Sequence, residues 1–224
     1  MIKLRLRFSK GGNLRYIGHL DFLKVFQQTI GRAKLPVAYS QGFNPHMLLS
    51  FALPLPLGMT SLHDYADLTL ESEMPEDEII SRLNTHAPGG LVISGAKEFS
   101  GPGAAAIVAA ADYVLAAADV TEQTVKSLLD RAGIVIPKKT KSGTKDTDIR
   151  PDILDIALRN DVQGRHVFMR LAAGSARFLN PLTVAALLLG REACPASITR
   201  TELYRRAEDD KNMGLVSLND SSAN

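Results

Sequence analysis

Cysteine is almost missing from this sequence: among 224 residues, only Cys194 carries a thiol. One thiol closes no internal disulfide, and it supplies neither the thiolates of an iron–sulfur cluster nor those of a structural zinc site. Tryptophan is absent and aromatic residues make up 6%, so the paired stacking residues of an RNA-recognition sheet are not evident. No run approaches the ~20 apolar residues of a membrane span. Residues 1–8 alternate basic with apolar and lack the apolar stretch of a signal peptide. A reducing, cytoplasmic setting is the expectation. Phosphate-binding glycine loops are missing too: Gly101-Pro102-Gly103 has no following Lys-Ser/Thr, and no GxGxxG follows a strand. No metal site or cofactor is expected in this chain.

What is present is ordinary globular material, with 45% hydrophobic and 22% charged residues. The length fits one large domain or two small ones. Net charge is only +2, but it is unevenly placed. Residues 1–46 carry Lys3, Arg5, Arg7, Lys10, Arg15, Lys24, Arg32 and Lys34 against Asp21 alone, whereas residues 61–86 are acidic apart from Arg82. A second basic cluster comprises Lys138, Lys139, Lys141 and Lys145.

Periodicity predicts the elements. Ile2, Leu4, Leu6 and Phe8 alternate with Lys3, Arg5 and Arg7, giving a strand with one basic face. Residues 19–34 have helical spacing, stopped by Pro36. Residues 37–40 begin a strand that resumes at 48–53, and 65–70 forms another. A helix starts at Pro75 with Glu76, Asp77 and Glu78 at its positive end, and 91–96 is a further strand. This order predicts an α+β protein whose residues 1–100 form a ferredoxin-like βαββαβ domain, with both helices on one sheet face. Residues 104–206 read as a second, less regular α+β domain, of the same type or not. Its alanine-rich start hides a strand, Thr121 caps a helix, strands flank the basic loop, 166–172 is a strand, and 181–189 is helical. The polar segment 207–224 is expected to be disordered.

Several motifs stand out. Tyr39-Ser40-Gln41-Gly42-Phe43-Asn44-Pro45-His46 packs a glycine, an Asn-Pro turn, two aromatics and polar side chains into eight residues. It is either a recognition loop or a bend whose polar groups satisfy its own backbone. His19-Leu20-Asp21 opens the first helix. His19 and His46 together would be an acid–base pair if the fold brought them close, although binding or structural roles come first. The row Lys3, Arg5 and Arg7, with Arg15, would meet phosphates or form a solvated or covered face. The 138–145 lysines read as a hairpin tip, for phosphate or merely for solvent. Asp148 and Arg150, flanking the bend before Pro151, would pair with each other, or Arg150 would hold an anion.

Arg5-Leu6-Arg7-Phe8-Ser9-Lys10-Gly11-Gly12, Tyr16-Ile17-Gly18-His19-Leu20-Asp21, Leu35-Pro36, the residues 39–46 and Leu55-Pro56-Leu57-Gly58 follow one another in an order that resembles the radical SAM-linked protein family. Asp148-Ile149-Arg150-Pro151 resembles that family's later motif. Gly18 stands where the family usually has serine, and Lys24 and Gly31 stand where arginine is common. The resemblance implies association with a radical S-adenosylmethionine enzyme that would itself carry the iron–sulfur cluster, S-adenosylmethionine and any cobalamin. It also implies a link to RNA or the ribosome. The resulting expectation is a non-catalytic docking module that brings RNA or a ribonucleoprotein to such an enzyme. Gln41, Asn44 and His46 would contact substrate or partner. The rivals are a metal-independent ribonuclease using His19 and His46, and a protein–protein adaptor.

Overall fold

A computed structural model describes residues 1–140, 143–161, 164–175, 177–207 and 214–220. The basic–apolar alternation at the start forms β1 (Ile2–Lys10), burying Leu4, Leu6 and Phe8. Next comes α1 (His19–Arg32), which turns Phe22, Phe26 and Ile30 inward. It stops short of the expected end because Lys34 takes the left-handed conformation (φ 52°) two residues before Pro36. Residues 37 and 39 make only isolated bridges, so β2 is short (Leu49–Phe51). After it come β3 (Thr60–Leu70), α2 (Glu76–His86) and β4 (Leu91–Glu98). The spatial order is β4-β1-β3 with β2 on the far side of β3, every pairing antiparallel. This is the split βαβ order that the periodicity predicts.

The second half repeats it. A single helical turn, α3 (Ala104–Ile107), leads into β5 (Val108–Ala116), then α4 (Glu122–Leu129). A separate two-stranded ribbon, β6 (Val135–Thr140) and β7 (Gly143–Asp148), is inserted next. Then follow β8 (Ile153–Asp161), β9 (Gly164–Ala172), α5 (Pro181–Leu189) and β10 (Ile198–Arg206). Their order is β10-β5-β9-β8, again antiparallel. The first and fourth strands of each set are neighbours, and so are the third and second. The fold class is therefore α+β, built from two βαββαβ sets.

The sets share one sheet. β10 runs parallel to the start of β3, pairing Thr199 with Thr60 and Arg200 with Ser61. Cross-strand partners lie on one face, so Leu6 and Ala66, then Tyr113 and Met169, share the side that carries α1, α2, α4 and α5. The opposite side carries Arg5, Arg7 and their partners. It is partly covered by residues 99–107 and by residues 215–220. There, for residues 214–220 of the segment 207–224, the expectation of disorder is corrected. β11 (Leu215–Ser217) pairs with β10, and Leu218 is buried, its amide donating to the Leu203 carbonyl. Residues 208–213 and 221–224 lie outside the described residues.

Candidate functional site

The 39–46 loop closes on itself at its neck. Ser40 N–H donates to the His46 carbonyl (2.8 Å), the His46 amide donates to Ser40 Oγ (3.1 Å), and that hydroxyl shares a 2.7 Å hydrogen bond with His46 Nδ1. Gly42 has φ 125°, a conformation that favours glycine. Beyond the neck, Gln41, Asn44 and Pro45 are exposed. Phe43 is 105% exposed, as open as a free side chain, and Tyr39 is half exposed. Ser40 and His46 thus satisfy the loop's own backbone, as the bend reading expects, and the loop they close holds an aromatic ring outward.

His19 and His46 are not brought together. His19 packs edge-on against Phe51, 5.6 Å between ring centres, in a crevice with Lys10 and Asp64. His46 lines a different hollow with Lys3 and Thr69. Lys3 and Lys10 lie seven residues apart along β1, about 23 Å at strand rise. Asp21 is exposed and makes a 3.4 Å surface ion pair with Lys24.

The basic row divides. Arg5 grips Asp67 with both arms of its fork, Nε–Oδ1 at 2.8 Å and Nη2–Oδ2 at 3.1 Å, while Phe99 lies 4.2 Å from its guanidinium. Asp67 also accepts the Ala104 amide. Arg5 is therefore neutralised under the linker between the two strand sets. Lys3 is exposed beside His46. Arg7 is different: its Nε is buried without a hydrogen-bond partner. Arg15 Nε is also buried and unpartnered, and its carbonyl accepts the Gly58 amide at 2.7 Å.

In the β6–β7 ribbon Lys138 stands directly opposite Lys145, and Lys139 opposite Thr144; Lys141 lies outside the described residues. Lys138 Nζ donates to the Phe178 carbonyl (3.3 Å). At the ribbon's base, Asp148 and Arg150 neither pair by side chain nor leave an arginine free for an anion. Asp148 Oδ1 accepts the Ile134 amide (2.7 Å) and the Arg150 amide (3.0 Å). Those amides, that of Arg150 foremost, hold its carboxyl below the usual range. The Arg150 fork donates to the carbonyl of Leu129, at the end of α4, and to that of Ile153, capping a helix C-terminus. This motif seats the ribbon.

Several charged residues that matter most to the architecture are inconspicuous in the sequence. Arg200 is fully buried at the β3–β10 seam, bidentate to Asp64 (2.7 and 2.8 Å), and it donates to the carbonyls of Leu53 and Pro54. The Leu55-Pro56-Leu57-Gly58 motif is thereby anchored at the junction. Lys10 is buried beside it, and burial holds its ammonium below the usual lysine value against the pull of Asp64. On the other face, Tyr65 donates to Glu202 (2.7 Å), and Arg170 and Tyr204 both donate to Asp112. Burial and Asp112 push the Tyr204 hydroxyl up to about 12. The only sequence signal for these positions is a charge placed at an inward register of a strand.

Fold and surface together define a class: a tandem split-βαβ protein, its four longer helices on one side of a continuous sheet, with a self-clasped aromatic loop and a lysine ribbon projecting from it. The chain belongs to the family described as an uncharacterized protein conserved in bacteria, DUF2344, whose model matches residues 3–181. No curated protein matches its sequence. Among the described residues no helix is long and apolar enough to cross a membrane.

Proposed function

We propose that this protein is a cytoplasmic, non-catalytic docking module that presents RNA, free or within a ribonucleoprotein, to a separate radical S-adenosylmethionine enzyme. In this reading the partner carries the iron–sulfur cluster and the S-adenosylmethionine. The observation that carries the docking role is Phe43: a fully exposed ring at the tip of a loop whose neck is closed by Ser40 and His46. Such a ring contributes nothing to folding where it stands, whereas aromatic anchors dominate the energetics of interfaces. The lysine ribbon supports the RNA part, because like charges opposite one another are unfavourable until an anion neutralises them. The choice of a radical S-adenosylmethionine partner rests on the motif resemblance. Separation of His19 from His46 favours docking over an acid–base ribonuclease.

The test is tagged purification after crosslinking, read by proteomics and RNA sequencing. Wild type should recover a radical S-adenosylmethionine protein together with a defined RNA. Phe43→Ala should lose the protein partner while its melting temperature is unchanged. Equal recovery of the partner by Phe43→Ala, or absence of any such enzyme from the wild-type sample, would overturn the proposal.

A further inference from the structure

The sheet face opposite the helices holds a basket of about 440 Å³. This is within the range of small-ligand sites. Its floor is Arg7 and Tyr65 on neighbouring strands, with Gly95 across from Arg7 on the other side. One wall is the linker after β4, where Phe99 lies over Arg5. The other is the chain end after β11, where Lys97 Nζ reaches the Asn219 carbonyl at 3.4 Å. Arg205 stands at the rim, where its side chain makes a 3.4 Å contact to the next residue's carbonyl.

The charges facing this space do not balance. Arg5 is neutralised by Asp67. Tyr65 directs its proton to Glu202, which also accepts the Leu203 amide and faces His63 at 3.6 Å. Glu98 pairs in register with Leu4 at the edge strand and lines the basket from its outer margin. The acids remaining around the opening are Glu98 and Asp220, against the three cations Arg7, Lys97 and Arg205. Arg7 has no side-chain hydrogen bond among the described residues, and its Nε is shut off from water. A buried guanidinium N–H without an acceptor costs free energy. Arg7 lines the basket, so an anion there meets the exposed part of its guanidinium rather than the enclosed Nε, and a guanidinium fork matches the oxygens of a phosphate.

We propose that this basket binds a small phosphate monoester, with Arg7 as the main anion contact and Arg205 and Lys97 at the rim. The inference does not depend on the docking role of the 39–46 loop.

Isothermal titration calorimetry with adenosine monophosphate and with inorganic phosphate, at constant ionic strength, tests it. At least one of the two should bind wild type saturably. Arg7→Gln should weaken that binding roughly ten- to a hundredfold, the loss expected for one hydrogen bond to a charged partner. Arg205→Gln, at the rim and with its fold checked by circular dichroism, should weaken it less but measurably. Lys145→Glu, on the distant ribbon, should leave it unchanged and so separates this site from RNA binding. No saturable binding of either probe to wild type, or affinities unchanged in both arginine variants, would overturn the site.

Discussion

Charge alone does not say what a side chain does here; its partners do. Arg5 and Arg7 are two residues apart on one strand face, yet one is locked to Asp67 and the other has an orphaned nitrogen. Asp148 illustrates the same point with a pH consequence. Its carboxylate accepts the Arg150 and Ile134 amides, and its folded pKa lies below the usual 3.8. A depressed carboxyl pKa stabilises the fold fully above the unfolded value and loses that contribution as pH falls through the folded one. Denaturation midpoints of wild type and Asp148→Asn should therefore differ by a constant amount above pH 3.8 and converge below it. A gap that stays constant through acid would refute the assigned role. None of this was legible in the sequence, because the acceptor amides come from residues whose side chains give no sign of it.

At the scale of elements, much of the fold could be read directly. Two-residue alternation marked β1, and three-to-four spacing marked α1, because each buries one face and leaves the other wet. The start of the second half was obscure, since alanine favours helix while Ala110 and Ala111 sit in the centre of a sheet whose close packing needs small side chains. The pattern hides β10: Arg200, Glu202 and Arg205 break its apolar alternation, and the partners of Arg200 and Glu202 lie far away in the chain. The β6–β7 ribbon carries a prediction of opposing effects. Lys145→Glu places an acid opposite Lys138, which should stabilise the protein by about 0.2–1 kcal/mol in urea unfolding. The same change should weaken RNA binding and flatten its salt dependence, by about 0.7 in logarithmic slope for each single-strand phosphate no longer neutralised. Unaltered RNA affinity would remove the ribbon from the interface.

For the molecule as a whole, the decisive feature is the seam where β10 meets β3. Arg200 ties Asp64 of one strand set to the other and holds the carbonyls of Leu53 and Pro54. Removing one partner of a buried ion pair leaves the other charge uncompensated, so Arg200→Ala should cost about 3–5 kcal/mol. The double change Asp64→Leu with Arg200→Met should cost clearly less; an equal or additive loss, measured by chemical denaturation, would contradict that account. The two halves were expected as successive domains, and the topology does repeat, but one strand of the second completes the edge of the first. That has a consequence in time. A growing chain emerges from the ribosome in order, and residues 198–206 come roughly 130 residues after β3, at about 5–20 residues per second. Through those seconds the start of β3, at Thr60 and Ser61, waits with open hydrogen bonds beyond the reach of β2, and Asp64 waits without Arg200, the condition in which strand edges recruit wrong neighbours. Synthesis of the first half without the second should accordingly give aggregates rather than a smaller folded protein.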